Sequence, residues 1–205
     1  MRARAYLDKR QWDQLDPSLR FAAEIGRPIN TFITLQYGAT GLEPVQVGPA
    51  TRKLIKNYIT PWLRPTAAYP VDHRPAVWFY FLEDVATAVY PHGAHAHIGM
   101  HTPDGRRGVL EAKLPDWLER VAGVVYDPET AIRVQHAEKN GIGLKLYAGK
   151  ALKPGDARKR RVRPSNQGTI WGRRLSISQS IHAGAIAAHR ERLSAAQLAL
   201  VQGVA

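Results

Sequence analysis

The chain contains no cysteine, which excludes disulfides and thiolate-ligated metal sites. Long apolar runs are also missing. The longest, "AVWFYFL" at 76–82, falls far short of the roughly 20 residues a membrane-spanning helix needs. The N-terminal stretch "MRARAYLDKRQWDQL" is basic but has no apolar core of the signal-peptide kind. A cytoplasmic protein with no membrane partner is expected. Acidic residues are scarce: 17 Asp+Glu face 29 Lys+Arg in 205 residues, a formal net charge of +12. No internal repeat or low-complexity segment stands out, and a 44% hydrophobic content is that of an ordinary folded domain.

The charge excess points to a polyanionic partner, with nucleic acid ahead of an anionic membrane surface. Its placement strengthens the point. From Lys150 onward there are eleven Lys+Arg and two acids, Asp156 and Glu191, so +9 of the +12 falls in about the last quarter of the chain. The run "ARKRR" alone could be a solvated face. Set within the global excess, it reads as a phosphate grip, and Arg158, Lys159, Arg160, Arg161, Arg163, Arg173 and Arg174 are the expected DNA-contacting residues.

Hydrophobic periodicity predicts a helix over 5–25, with Asp16-Pro17 as a candidate break, and a strand in "TFITLQYG" at 31–38. It predicts a helix over 49–63 broken at Pro61, and a strand at 76–84, apolar on both faces and so central. The turn-rich "VATAVYPHG" leads to a second strand, "AHAHIGMHTP", expected to pair with the last as a hairpin. A helix ending at Gly123, a strand at 131–138 and a short helix at 141–152 follow. Residues 153–170 read as the most mobile stretch. The order β-α-β-β-α-β predicts an α+β fold, a ferredoxin/RRM-like antiparallel sheet with helices on one face. Three segments result: an N-terminal helical segment (1–28), a central α+β domain (29–152) and a basic C-terminal segment ending in a helix (153–205).

Chemistry concentrates in "GAHAHIGMHTP", 93–103. Side chains alternate along a strand, so His95, His97 and His101 share a face. His95 and His97 are close enough to hold one metal through neutral ring nitrogens; two sheet-packing histidines would give the same pattern. Gly99 and Met100 occupy the places where H-x-H-x-D-H zinc sites carry Asp and His, and H-E-x-x-H is absent. The preceding strand ends in "LEDV", which puts Glu83 or Asp84 beside the histidines. Two imidazoles and a carboxylate suit Mn²⁺ or Mg²⁺ completed by a phosphate oxygen, with zinc as an alternative. "YAGK", 147–150, places Lys150 one helical turn from Tyr147. A cation there favours phenolate, so a lowered Tyr147 pKa is expected. A phenolate can attack a phosphodiester and hold the product covalently.

Taken together, "TFITLQYG", "HAH" at 95–97 and "YAGK" resemble the three motifs of the HUH endonucleases, the rolling-circle replication initiators of bacterial plasmids and phages. The segment "QGTIWGRRLSISQSI", 167–181, resembles the C-terminal part of such initiators, so the likeness spans roughly 30–181. It implies metal-dependent nicking and rejoining of single-stranded DNA at an origin or transfer site, an HUH endonuclease fold for 29–152, and ligands His95, His97 and Glu83, with Asp84 in reserve. Tyr147 would form a 5′-phosphotyrosine and Lys150 would steady the phenolate or the phosphate. His101, two positions beyond the motif, would be an edge or DNA-contacting residue. With one such tyrosine, termination needs a second protomer or a second round, so a homo-oligomer is among the expected states. Two rivals stand beside the initiator: a mobilisation relaxase with the same chemistry, and a non-catalytic nucleic-acid-binding module using Tyr37, Trp78 and Tyr80 to stack bases.

Overall fold

The computed structural model describes residues 2–64, 75–85, 93–138, 141–165 and 168–201. The elements are β1 (Ala3–Arg4), α1 (Lys9–Glu24), β2 (Thr31–Gln36), α2 (Pro44–Leu54), α3 (Thr60–Trp62), β3 (Trp78–Asp84) and β4 (Ala94–Met100). They continue with α4 (Arg107–Ala122), α5 (Pro128–Ala131), β5 (Ile132–His136), α6 (Ile142–Ala148), α7 (Pro154–Lys159), β6 (Ile170–Trp171), β7 (Leu175–Ile177) and α8 (Ala183–Val201). Most of the tight turn expected between β3 and β4 lies outside the described residues, as do residues 166 and 167 of the stretch read as mobile.

The protein is α+β. Five strands form one antiparallel sheet in the order β5-β2-β4-β3-β7. Its first four strands in chain order therefore lie in the spatial order 4-1-3-2, with α2–α3 linking the first to the second and α4 the third to the fourth. Alternation splits the sheet into two cores. On one face Ile33, Leu35, Tyr80, Leu82, Ala96 and Ile98 meet Leu54 of α2 and Leu110, Leu114 and Leu118 of α4. On the other, Phe79, Phe81 and Leu175 meet Trp12, Leu15 and Leu19 of α1, with Ala148, Ala157 and Ile186 from α6, α7 and α8. Helices thus cover both faces, not one as the sequence suggested, because α1 and the C-terminal elements carry apolar stripes of their own.

Two expected breaks are absent. Helix α1 is capped by the Asp8 carboxylate, which accepts from the Arg10 N–H, and it runs through Pro17 unbroken. Before Pro61 the helix loosens instead into a π-turn over Ile55–Ile59, where the Thr60 N–H donates to the Ile55 carbonyl five residues back. The larger departure concerns the C-terminal segment. Strand β6 pairs with β1, β7 pairs with β3, and Ile181 and Ile186 lie in the second core, so the basic segment is built into the sheet. No helix among the described residues is long and apolar enough to cross a membrane.

Gly99 on β4 stands directly opposite Phe79 on β3, and a Cβ there would overlap the Phe79 ring. Overpacking of this kind costs roughly 1–3 kcal/mol. Gly99→Ala should therefore lower the urea midpoint by that order without changing the slope of the transition; an unchanged midpoint would show that the Phe79 ring moves aside freely.

Candidate active site

Strand register builds the site one row at a time. Glu83, His95 and Gln36 stand side by side across β3, β4 and β2, and Phe81, His97 and Thr34 form the next row on the same face. Asp84 belongs to the opposite face, in the row of Ala94. Of the two carboxylates "LEDV" offered, Glu83 is the one placed with the histidines. The His95 and His97 rings stack, 5.8 Å apart and 3° from parallel.

His97 is the hinge of the cluster. It is buried between the rings of Phe32 and Phe81, at 5.5 and 4.8 Å. Its Nε2 lies 3.0 Å from a Glu83 carboxylate oxygen and its Nδ1 3.1 Å from the Thr34 hydroxyl. Burial pushes the Glu83 carboxyl up, but hydrogen bonds from His97 and Tyr147 and the neighbouring imidazoles outweigh it and hold the group below its ordinary range. An ionised carboxylate only accepts, so Nε2 of His97 carries a proton toward Glu83. Burial, then the proximity of His97, lowers the pKa of His95 against weaker opposing pulls from Gly93, Glu83 and Asp84. Its Nδ1 is buried with no hydrogen-bond partner, as is Oε1 of Gln36 in the same row.

Helix α6 brings the phenol to this surface. Gly141 adopts φ +81° just before it, in the left-handed region that suits glycine. The Trp12 indole N–H donates to the Lys145 carbonyl at 2.8 Å, pinning α6 to α1. Gly149, where a Cβ would crowd Trp12 and Val162, permits the close approach. The Tyr147 ring then sits edge-on to His97, with centroids 5.1 Å apart, and its hydroxyl hydrogen-bonds Glu83. Lys150 Nζ stands 3.9 Å from the centre of the Tyr147 ring, a cation–π contact.

The expected lowering of the Tyr147 pKa is not what this arrangement produces. Burial, and after it the Glu83 carboxylate, push the phenol up to about 12, because the nearest charge to the hydroxyl is an anion while Lys150 lies over the ring. The neutral phenol contributes its stability in full below pH 10 and loses it as pH rises through about 12.

The remaining predicted residues separate into groups. Arg158, Lys159, Arg161, Arg163 and Arg173 are exposed. Arg160 instead forms a two-point ion pair with Asp13, at 2.7 and 2.9 Å. Arg174 is a correction: it is 1% exposed and its guanidinium donates to the carbonyls of Arg4, Leu82 and Gly168, so it ties β3 to the C-terminal segment and meets no solvent-borne strand. Burial lowers its pKa to about 10. His101 lies one residue past β4 and donates from Nδ1 to the Pro28 carbonyl. Tyr37 and Tyr80 are buried and cannot stack bases; Trp78 alone of that trio is half-exposed. The sequence did not single out Thr34, Gln36 or Phe81, whose roles depend on register, or Trp12, whose role depends on a contact 133 residues away.

As for a metal, the donor chemistry fits: two imidazoles and a carboxylate share a face, and the buried His95 Nδ1 lacks a partner. As placed, however, Glu83 and His97 Nε2 satisfy each other, and no three His, Asp or Glu groups among the described residues are set to hold an ion. Compared with known proteins, the chain matches no protein-family model, no curated protein and no solved structure.

Proposed function

We propose that the protein nicks and rejoins single-stranded DNA through a tyrosyl phosphodiester, as an HUH-type endonuclease on a ferredoxin-like sheet. Initiation of rolling-circle replication is the proposed setting, and mobilisation the alternative with the same chemistry. The observation that carries this reading is the convergence of Tyr147, Glu83 and His97, with Lys150 at the ring. A phenol donating to a buried, ionised carboxylate is a nucleophile paired with its base. Tyr147 Oη would attack phosphorus as its proton passes to Glu83. The Oη–P bond forms and the P–O3′ bond breaks, and the leaving 3′-oxygen takes up a proton to become a free hydroxyl. Return of that hydroxyl with proton flow reversed would reseal the strand. His97, held by Thr34, would orient Glu83, and Lys150 would offset charge on the phosphate.

A divalent cation, Mn²⁺ or Mg²⁺, belongs to the same proposal. His95, His97 and Glu83 would hold it in exchange for the hydrogen bond between His97 and Glu83, and it would supply neutralisation of the phosphate charge. The test is a gel: the full chain with Mn²⁺ and a labelled single-stranded oligonucleotide carrying the element's origin should give a covalent protein–DNA band. Tight binding with no band would favour the non-catalytic module, the reading that the raised pKa of Tyr147 supports.

The basic run makes a separate prediction about affinity. Single-strand binding weakens with salt at a slope of roughly 0.7 per neutralised phosphate. Arg160 is held by Asp13, which leaves Arg158, Lys159 and Arg161 to reach phosphates. Neutralising all four should flatten the slope by about two, from three contacts at that increment. An unchanged slope would make the run a solubilising face.

A further inference from the structure

On the sheet face opposite the histidines lies a cleft of about 970 Å³ between the α2–α3 helical run and the β3–β7 edge. Arg52, Lys56 and Arg64 line one wall, Arg173 the other, and Trp78 and Tyr80 line it from the sheet. Among the described residues no acidic side chain lines it and no ion pair involves any of the four cations. Four like charges around one cleft repel each other, and an anion between them relieves that repulsion. The aromatic pair is already stacked, 6.2 Å apart and 18° from parallel, and Tyr80 is tied to Arg52 and Ser176 by hydrogen bonds. Trp78, half-exposed, is the ring left to accept a further partner. The π-turn that carries Lys56 is a rare local geometry that recurs at functional sites.

We propose that this cleft binds unpaired nucleic acid, with phosphates between the cations of its two walls and a base on Trp78. The proposal rests on the protein's being a nucleic-acid binder but not on its being a nuclease. A duplex keeps its base faces stacked internally, so a recessed aromatic surface flanked by cations selects an unstacked base. The volume is at the upper end of the roughly 300–1,000 Å³ of small-ligand pockets, which favours a strand over a single nucleotide. Trp78 and Tyr80 alternate with Phe79, Phe81 and Glu83, so the cleft and the Tyr147 surface are separated by the sheet itself.

The experiment measures affinity of the full chain for a labelled oligothymidylate across a salt series. Lys56→Gln/Arg64→Gln changes two exposed residues and should flatten the slope by about 1.4, two contacts at roughly 0.7 each. Trp78→Leu should weaken binding roughly 5- to 100-fold with the slope retained, the loss of one base stack. Thymidine monophosphate should compete poorly, and a duplex of the same length no better. If the double variant, shown folded by circular dichroism, keeps both affinity and slope, the proposal fails whatever Trp78→Leu does. Equal competition by the mononucleotide would make the cleft a nucleotide pocket, and equal competition by the duplex would remove the role of Trp78; either overturns it. Adduct formation on Tyr147, scored in the same variants, bears only on the nuclease reading.

Discussion

Tyr147→Phe is expected to abolish covalent attachment to the origin strand, while the unaltered chain gives an adduct that mass spectrometry maps to residue 147. The substitution removes one oxygen. The ring keeps its contacts with His97, Phe81 and Lys150, so the fold and single-strand affinity should be retained, while loss of the hydrogen bond to the buried Glu83 lowers the thermal midpoint. What disappears is the atom that bonds to phosphorus, and water cannot form a protein adduct in its place. Glu83→Gln should slow adduct formation by about 10²–10⁴-fold, the usual worth of a positioned base, while leaving Tyr147 in place. Lys150→Ala should slow it without eliminating it, because the ammonium lies over the ring and does not itself attack. An adduct on Tyr126 or any other tyrosine would refute the assignment, and full activity in Glu83→Gln would deny Glu83 its role as base.

The second large effect concerns His97. His97→Ala should abolish Mn²⁺-dependent cleavage and weaken Mn²⁺ binding, followed by titration calorimetry, by at least the roughly 10–100-fold seen when only a group supporting a metal ligand is lost. The structure adds a cost that the sequence did not suggest. His97 is 4% exposed and is a hydrogen-bond partner of the buried Glu83. Its removal takes a donor from a buried carboxylate, worth about 1–3 kcal/mol or more for a charged group. His97→Ala should therefore also lower the thermal midpoint, and His95→Ala, whose ring is half-exposed with Nδ1 unpartnered, should lower it less. The two effects separate by measurement: metal affinity is read on protein that circular dichroism shows to be folded. Undiminished cleavage by the His95→Ala/His97→Ala double variant would remove both histidines from the chemistry.

Local patterns carried much of the architecture. The alternation in "TFITLQ", the continuous apolar run in "WFYFLED" and the 3.6-residue stripes over 9–24 and 107–122 reflect burial against immediate neighbours, which the pattern of apolar residues records directly. The shared face of His95 and His97 needed only the strand assignment, while the choice of Glu83 over Asp84 waited on the register of β3 against β4. What the sequence hid depends on distant pairing. Strand β7 is three residues long, too short for its Leu-Ser-Ile alternation to stand out, and it becomes a strand because β3 offers an open edge. Arg174 resembles its exposed neighbour Arg173 in type and position, yet it is buried because the carbonyls of Arg4 and Leu82, from distant segments, and of nearby Gly168 surround it. The pKa of Tyr147 turned on burial of its hydroxyl and then on the Glu83 carboxylate beside it, neither of which spacing along a helix reveals.

The late position of β7 has a consequence for synthesis. Strand β3 is apolar on both faces, and without β7 its outer backbone N–H and C=O groups would form an open edge of the kind that recruits strands from other chains. A ribosome makes β3 and β4 long before residues 175–177 emerge, so the nascent chain passes through an interval in which its most aggregation-prone edge has no cover. Chains that stop short of Leu175 would stay in that interval permanently and should collect as insoluble material, even with the Glu83, His97 and Tyr147 cluster complete. The strand that shields the sheet is the last of its strands to be made.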